Sequence, residues 1–261
     1  MSGKNAAENL IDMGIAACNA GKPAEGFGYF YKAAVIGNPI AMFNVAKLYQ
    51  QGAGVKQDSQ KAFDWFKKSA EAGHDQSMVE LSNFYFLQKN YDETFKWNMK
   101  AAELGNIAAM CNVGNFYWHG AGVKQDLKKA LEWFQKAANT GHPIAMFQLG
   151  DFYSKQKNDA EAFKWHMKSA EKGAPYAMSE IATMYFKGAG VEKNDSEGLK
   201  WLKKAAELKN PPAMAMLGRM YEIGMIVKQD IHEALKWYVE AANVGEKHAQ
   251  ERLKVLFDKG E

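Results

Sequence analysis

The sequence predicts an all-α solenoid of seven helix pairs, followed by a capping helix at the C-terminus. First, the chain repeats in steps of 32 or 36 residues when Met110 is aligned with Met42, Met78 and Met146. Second, apolar or small residues follow each aligned position at offsets of three, four and seven, which marks one face of a helix. Third, an aromatic residue recurs once per step and marks a second helix. Such repeats bury their apolar faces only against their neighbours, so we expect one continuous array over 1–261.

The predicted units follow from this alignment. Their bounds are 10–37, 42–73, 78–105, 110–141, 146–173, 178–209 and 214–245, with the capping helix at 248–259. Within the capping helix, Gln250, Arg252, Lys254 and Lys259 are more polar than the matching residues of the other units. A terminal helix that faces solvent requires this polarity.

Each unit contrasts large and small residues. Small residues lie four positions after the aligned residue, and we expect them to allow the close approach of a neighbouring helix: Ala46, Ser82, Gly114, Gly150, Ala182 and Gly218. The second helices carry the recurring aromatic rings, which we predict to be core: Tyr29, Trp65, Trp97, Trp133, Trp165, Trp201 and Trp237. Pairs of small residues four and five positions later would allow the next unit to stack.

Helix start and stop signals support the same alignment. Seven residues before each Trp lies an Asp or Asn that we predict to cap the second helix: Asp58, Asn90, Asp126, Asn158, Asn194 and Asp230. In four units a Glu follows three residues later, which predicts a capping box: Glu93, Glu161, Glu197 and Glu233. Most second helices end at a Gly, which suits a left-handed closing residue. Lys209 replaces that Gly, so we expect a turn of different construction there.

The longer units insert a Gly-containing hairpin between their two helices. These hairpins are GAGVKQD at 52–58 and 120–126, GAGVEKN at 188–194 and GMIVKQD at 224–230. The paired glycines can adopt the positive φ needed to leave the first helix, and the Val can plug the hairpin. A phosphate-binding loop would need a preceding strand and a following Lys-Ser or Lys-Thr, and neither is present.

Composition narrows the possible functions. With 33 basic and 30 acidic residues the net charge is +3, and no basic stripe indicates binding to nucleic acid. No apolar run approaches the roughly 20 residues of a membrane span. Glu8 and Asp12 interrupt the region where a signal peptide would lie, so we expect a cytoplasmic protein. Cys18 and Cys111 lie in separate repeats and are interpreted as small buried residues.

The unit resembles the Sel-1-like repeat. Its three parts are Ala-Met-x-x-Leu-Gly-x-x-Tyr, Gly-x-Gly-Val-x-x-Asp and Lys-Ala-x-x-Trp-x-x-Lys-Ala-Ala-x-x-Gly, and 145–153, 120–126 and 129–141 show them. The resemblance covers essentially the whole chain. It implies a right-handed superhelix, similar to tetratricopeptide repeats, that scaffolds protein complexes in bacterial signalling or host interaction. Departures from the pattern are Lys209, Gly198 in place of Ala, and Tyr29 in place of Trp.

No motif predicts catalysis, a cofactor or a metal. HExxH, Cys/His clusters and nucleotide fingerprints are missing, and we interpret His74 and His142 as helix-end residues. Some cysteine-rich proteins of the resembled family are linked to β-lactam hydrolysis or penicillin binding. Ser154–Lys157 and Ser169–Lys172 match S-x-x-K, but S-D-N and K-T-G do not accompany them. Ser169 also occupies the small-residue position, which packing explains better.

The remaining candidate site is a polar stripe on the first helices. Offsets of two, five and nine share one side of a helix outside its core face, and we expect this side to line the concave surface. The stripe comprises Asn44, Lys47, Gln51, Glu80, Asn83, Asn112, Asn115, His119, Gln148, Asp151, Lys155, Glu180, Thr183, Lys187 and Arg219. Phe86, Trp118 and Phe186 form a second candidate patch. Trp118 is either an exposed interaction residue or a core contact under the hairpin.

These observations predict a non-catalytic adaptor that binds a protein or peptide on the concave face. Amides and mixed charges at unit intervals suit the backbone and side chains of an extended peptide. One alternative is a β-lactam-recognising hydrolase or penicillin-binding protein. Another is a host-directed or toxin-neutralising protein of the immunity type, which differs from the adaptor in its partner only.

Overall fold

The chain is all-α in its computed structural model, which describes residues 2–258 and the side chains of 6–256. Fifteen helices and no strand occur in that range, so the predicted seven pairs and terminal helix are confirmed. The helices are α1 (Ser2–Asn19), α2 (Pro23–Val35), α3 (Pro39–Gln51), α4 (Ser59–Glu71), α5 (Asp75–Leu87), α6 (Tyr91–Glu103), α7 (Ile107–His119), α8 (Leu127–Ala138), α9 (Pro143–Lys155), α10 (Asp159–Glu171), α11 (Pro175–Lys187), α12 (Asp195–Glu207), α13 (Pro211–Ile223), α14 (Ile231–Asn243) and α15 (Lys247–Asp258).

The helices are organised in two compact units, Met1–Trp133 and Phe134–Glu261, and the boundary lies within α8. In the first unit α1 packs on α2, α3 on α4 and α5 on α6, and each second helix also packs on the next first helix. In the second unit the pairs are α9 with α10, α11 with α12 and α13 with α14, and α14 packs on α15. Each unit therefore has its own interior of apolar helix faces.

The recurring Trp rings lie at the border of the interior. The prediction that they form the buried core is wrong for most of them. Trp97 is buried, whereas Trp65, Trp165, Trp201 and Trp237 are half-buried. A Lys three residues later lies over the ring in several units, as Lys168 does at 4.0 Å from the Trp165 centroid. The attraction between the lysine charge and the ring stabilises this partly exposed position. The fully buried position is one residue later: Phe30, Phe66, Asn98, Phe134, His166, Leu202 and Tyr238.

The small residues of the first helices contact that buried position. A Cβ at Gly150 would lie 2.6 Å from the His166 ring, and a Cβ at Gly218 would lie 3.0 Å from the Tyr238 ring. The neighbour that approaches closely is therefore the side chain of the paired helix. The same principle explains Gly198, because a Cβ there would overlap the ring of Phe186.

The predicted N-caps are confirmed. Each of the six predicted side chains accepts a hydrogen bond from the backbone N–H three residues later, at 2.9–3.3 Å. The second half of the predicted capping boxes, in which the Glu side chain accepts a hydrogen bond from the N-cap N–H, does not form. The N–H of Asn158, for example, donates to the Tyr153 carbonyl, while Glu161 pairs with Lys164 at 3.0 Å. The Glu thus stabilises the first turn by an ion pair and by its charge near the helix N-terminus.

The turn at Lys209 is built like the others, so the expected difference is wrong. Lys209 has φ 59°, and the corresponding Gly105 and Gly245 have φ 95° and 86°. The Lys209 N–H donates to the Ala206 carbonyl and the Asn210 N–H to the Ala205 carbonyl, as in the Gly105 turn. Hydrogen bonds of the turn therefore hold a non-glycine residue in the left-handed region.

The long hairpins dock on the start of the preceding second helix. Gly122 has φ 66°, and a Cβ there would lie 2.6 Å from the Tyr91 carbonyl oxygen. Ile226 occupies the equivalent position in the last hairpin and has φ 67°. Val55 and Val227 pack against the interiors of their units, as predicted.

The C-terminal helix is tied to the second unit by a polar contact. Arg252 pairs with Glu222, and the Tyr238 hydroxyl donates to the same carboxylate at 2.7 Å. Arg252 is consequently half-buried rather than solvent-facing as predicted, whereas Gln250 and Lys254 are exposed. Lys259 lies outside the described residues.

Candidate functional site

The predicted stripe begins with residues that bind one another. Lys47 on α3 pairs with Glu80 on α5 at 3.2 Å, and the two side chains are 32% and 20% exposed. The Asn44 amide donates to the Ile40 carbonyl at 3.0 Å, and Gln51 at the end of α3 is exposed. The ion pair therefore holds two first helices together and leaves little of either charge free for a partner.

Further along the first unit, three stripe asparagines converge on one cavity. Asn83 on α5 and Asn112 and Asn115 on α7 line a cavity of about 300 Å³, hereafter the amide cavity. The other lining residues are Phe86, Thr94, Asn98, Phe116, His119 and Ala121. Within the described part of the chain, the amides of Asn83 and Asn115 make no hydrogen bond. The cavity thus combines apolar walls with free amide groups.

A buried amide supports the floor of this cavity. Asn98 on α6 is 1% exposed and donates to the Thr94 carbonyl at 2.9 Å. Its carbonyl oxygen accepts a hydrogen bond from Asn112 at 2.9 Å. Asn112 is therefore oriented by a neighbouring helix. Removing its amide would leave a buried acceptor without a partner.

The three residues of the second candidate patch, Phe86, Trp118 and Phe186, lie in different environments. Trp118 is half-buried and stacks on the exposed His119, with ring centroids 4.9 Å apart. Gln125 of the hairpin donates to the Trp118 carbonyl at 2.7 Å. Phe86 is 53% exposed and borders the amide cavity, whereas Phe186 packs against the interior of the second unit.

In the second unit, Gln148 and Asp151 of the stripe line a cavity of about 640 Å³, hereafter the Asp151 cavity. Its walls include Ile144 and Phe147 of α9 and Tyr176 of α11. The Phe147 and Tyr176 ring centroids lie 6.5 Å apart. The Gln148 carbonyl oxygen is buried and has no hydrogen-bond partner among the described residues.

Two titratable groups meet behind this cavity. Partial burial and the charge of Glu180 raise the pKa of Asp151 to about 6, against the opposing effect of Lys155. His166 on α10 is 1% exposed, and its Nε2 atom lies 3.6 Å from the Asp151 carboxylate. Burial lowers the pKa of His166 to about 4, so its ring is neutral at pH 7. The pair is therefore a carboxylate beside a neutral imidazole.

The remaining stripe residues lie on the second unit. Thr183, Lys187 and Arg219 line a third cavity of about 450 Å³ with Phe186 and Met216. Thr183 donates to the Ser179 carbonyl at 3.1 Å. Lys155 and Glu180 are exposed. Stripe residues thus border the amide cavity in the first unit, and the Asp151 cavity and this third cavity in the second.

The serine and histidine residues that match catalytic or metal-binding patterns in the sequence have structural roles. Ser169 is fully buried and donates to the Pro143 carbonyl at 2.7 Å, so its hydroxyl is not accessible as a nucleophile. His74 caps α5 by accepting from the Ser77 N–H, and His142 precedes α9. Burial raises the pKa of the Cys111 thiol to about 11, and both cysteines are unpaired.

Two functional features are absent from the described residues. No group of three or more His, Cys, Asp or Glu side chains is placed to hold a metal ion. None of the described helices combines the length and apolar character needed to cross a bilayer.

The sequence pattern missed Asn98 and His166, which support two of the cavities. The available signal was the position after the recurring aromatic, which is Phe30, Phe66 and Phe134 in three units but Asn98 and His166 in two. Polar residues are rare at buried positions unless they are hydrogen-bonded or functional. A polar residue at a repeating apolar position therefore marks a candidate site.

The paired helices, the Gly-containing hairpins and the cavities beside the first helices define an α-helical repeat protein of the scaffold class. A family model described as Sel1 repeat matches residues 39–74, 81–106, 107–142, 143–173, 175–210 and 211–246. These matches cover more than half of the chain, which therefore belongs to the Sel1 repeat family. Repeats of this type typically mediate protein–protein interaction and are generally non-catalytic.

Solved structures show the same fold. A Sel1 repeat protein from Oxalobacter formigenes is 33% identical over 90% of this chain and 99% of its own, with a TM-score of 0.81. A protective antigen of uropathogenic Escherichia coli strains that displays an SLR fold is 30% identical, with a TM-score of 0.77. The match covers 98% of this chain but 57% of that antigen, so this chain spans a little over half of its length.

An immunity protein from Pseudomonas aeruginosa is 22% identical over 71% of this chain and 74% of its own, with a TM-score of 0.51. This likeness concerns the fold alone. No curated protein matches the chain significantly.

Proposed function

We propose that this protein is a non-catalytic adaptor that binds an extended peptide segment of another protein at the amide cavity. The observation that carries the proposal is the convergence of Asn83, Asn112 and Asn115 on a single apolar-walled cavity. An amide side chain offers both a donor and an acceptor, so it can pair with a peptide backbone of any sequence. The apolar walls would take one side chain of that peptide.

The geometry favours a peptide over a small polar ligand. Phe86 and Phe116 supply aromatic wall area, and His119 lies at the hairpin side of the cavity. Partly exposed aromatics beside polar groups are typical of protein interaction sites. Asn112 is held in place by Asn98, so part of the binding surface is ordered before the partner arrives.

Partner capture from the native cell tests this proposal. Asn83→Ala with Asn115→Ala and Phe86→Ala should abolish capture of the partner that the wild type retains. These three changes leave the Asn98–Asn112 hydrogen bond intact, so helical content and the melting midpoint should change little. Lys67→Ala with Glu71→Ala, at exposed positions on α4, is the matched control and should capture normally. Unchanged capture by the triple variant would place the binding site elsewhere.

The same experiment addresses the alternative partners. A secreted toxin among the captured proteins would favour the immunity-type function, and a host protein would favour the host-directed one. The β-lactam alternative has less structural support because Ser169 is buried and hydrogen-bonded. Covalent labelling of the purified protein by a fluorescent penicillin would support the β-lactam alternative.

A further inference from the structure

The Asp151 cavity differs in chemistry from the amide cavity. Its polar lining comprises the Asp151 carboxylate, the Gln148 amide and the Lys172 ammonium, beside the apolar side chains of Ile144, Phe147 and Tyr176. The Gln148 oxygen is buried without a hydrogen-bond partner among the described residues. A buried acceptor in this state is costly unless a ligand or water supplies the donor.

Among the described residues, the Asp151 carboxylate makes no ion pair with a lysine or arginine. Partial burial raises the pKa of Asp151, and the negative charge of Glu180 on α11 adds to this effect. Lys155 of the same helix opposes this effect without offsetting it. His166 of α10 lies 3.6 Å away but is neutral at pH 7 because burial lowers its pKa to about 4. A cation placed in the cavity would meet both acceptors.

The apolar walls restrict which cation fits. Lysine and arginine carry a charged head on a long aliphatic stem, which packs well along apolar surfaces. The aromatic rings of Phe147 and Tyr176 line the cavity, and cations are attracted to aromatic rings. The cavity is large enough, at about 640 Å³, for one such side chain. Lys172 also lines the cavity, and its flexible exposed side chain can move aside.

We propose that the Asp151 cavity binds one basic side chain, arginine or lysine, of a partner protein, with its cationic head between Asp151 and Gln148. This inference rests on the proposed function, because it gives the chemical class of a partner segment. It is tested separately from the amide cavity, since the probe is a single amino-acid derivative that needs no partner protein.

The test is an NMR titration of the full chain with Nα-acetyl-arginine amide. Nα-acetyl-citrulline amide is the control probe, because it has nearly the same shape and no charge. We expect saturable shifts of the Gln148 side-chain amide and of the Phe147 and Tyr176 backbone amides with the arginine probe. Citrulline should bind at least about tenfold more weakly, since hydrogen bonds between charged groups are the stronger ones.

Two variants and a change of pH sharpen the test. Asp151→Asn should weaken arginine binding about tenfold, whereas Glu71→Gln, which alters an exposed carboxylate of the other unit, should not. Because the pKa of Asp151 is about 6, roughly a tenth of the carboxylate is ionised at pH 5, and binding should be about tenfold weaker there than at pH 7.5.

The proposal is wrong if the arginine probe shifts no resonance of the cavity, or if citrulline shifts them equally at the same concentrations. This comparison uses the wild-type protein, so it holds whether or not a variant folds. Loss of partner capture on changing the amide cavity would leave this result untouched, and the reverse also holds.

Discussion

Replacing His166 by Phe should stabilise the protein. The His166 ring is 1% exposed, packs on Gly150 and Phe147, and has no hydrogen-bond partner at Nδ1 among the described residues. Phe66 and Tyr238 show that an aromatic ring fits this position in other repeats. Leaving a buried polar atom unmatched costs about 1–3 kcal/mol, so His166→Phe should raise the free energy of unfolding by that order at pH 7.

The gain should grow as the pH falls. Burial lowers the pKa of His166 from 6.5 to about 4, so the unfolded state takes up a proton that the native state does not. The free energy of unfolding of the wild type therefore loses about 2 kcal/mol from this residue between pH 7 and pH 5. The Phe variant has no such group, and its advantage should widen by the same amount.

The contribution of Asp151 to the pH dependence of stability must be separated from that of His166, because the two have opposite signs. Its pKa is raised from 3.8 to about 6, so the native state takes up a proton before the unfolded state does. Its contribution to stability consequently increases as the pH falls from about 6 towards 3.8. The wild type alone would show a partly cancelled pH dependence. The difference between His166→Phe and wild type, repeated in an Asp151→Asn background, isolates the histidine.

Urea unfolding at pH 7.5, 6 and 5 provides the measurement. His232→Gln is the matched control, because His232 is an exposed histidine of the same unit and its loss should change stability little. A Phe variant less stable than wild type at pH 7.5 would refute the argument that the imidazole lacks a partner. If the stability difference between the Phe variant and the wild type stays constant down to pH 5, the conclusion that His166 is buried as a neutral ring is wrong.

Two further predictions concern the hairpins and the terminal helix. Gly122→Ala should lower the free energy of unfolding by about 2–5 kcal/mol, because the new Cβ would overlap the Tyr91 carbonyl and φ is 66°. Gly105→Ala, at φ 95° in open space, carries only the backbone strain and should cost about 1–2 kcal/mol in the same urea titration. Arg252→Ala should leave the Glu222 charge half-buried and speed amide hydrogen exchange in α15, whereas Lys254→Ala should not; equal exchange in both variants would contradict the ion pair.

Local chemistry made much of the fold predictable. Asp58 and Asn194 cap helices because a side-chain oxygen three residues before an amide satisfies it, whatever the surroundings. Gly105 closes a helix because its backbone tolerates positive φ. These features depend on a few neighbouring residues, and the repeat shows them several times.

Packing of the second helices was not predictable in the same way. The recurring Trp suggested the core, but the position that is buried in every unit is that of its variable neighbour. That residue is matched to the small residue opposite it, as His166 is to Gly150 and Tyr238 to Gly218. Its volume is therefore a property of two positions in different helices, which one column of a repeat alignment does not show.

The stripe was predictable as a surface but not as a set of sites. Lys47 and Glu80 lie 33 residues apart, and their pairing depends on side-chain conformations across two helices. Asn112 and Asp151 follow the same offset rule, yet one faces an amide-lined cavity and the other a carboxylate-lined one. The offset places a residue on a face, and the neighbouring helix decides its chemistry.

The amide cavity and the Asp151 cavity share one feature, a polar residue at a repeat position that is otherwise apolar. Asn98 and His166 are the polar members of a position that is otherwise aromatic or Leu, and each approaches a stripe residue, Asn112 or Asp151. A buried amide or imidazole contributes less to stability than Phe at this position. Its presence in two separate repeats, each time beneath a cavity, is explained if it orients or tunes the residue above it. The stability gained by His166→Phe would then measure what the scaffold gives up to hold Asp151 in its present environment.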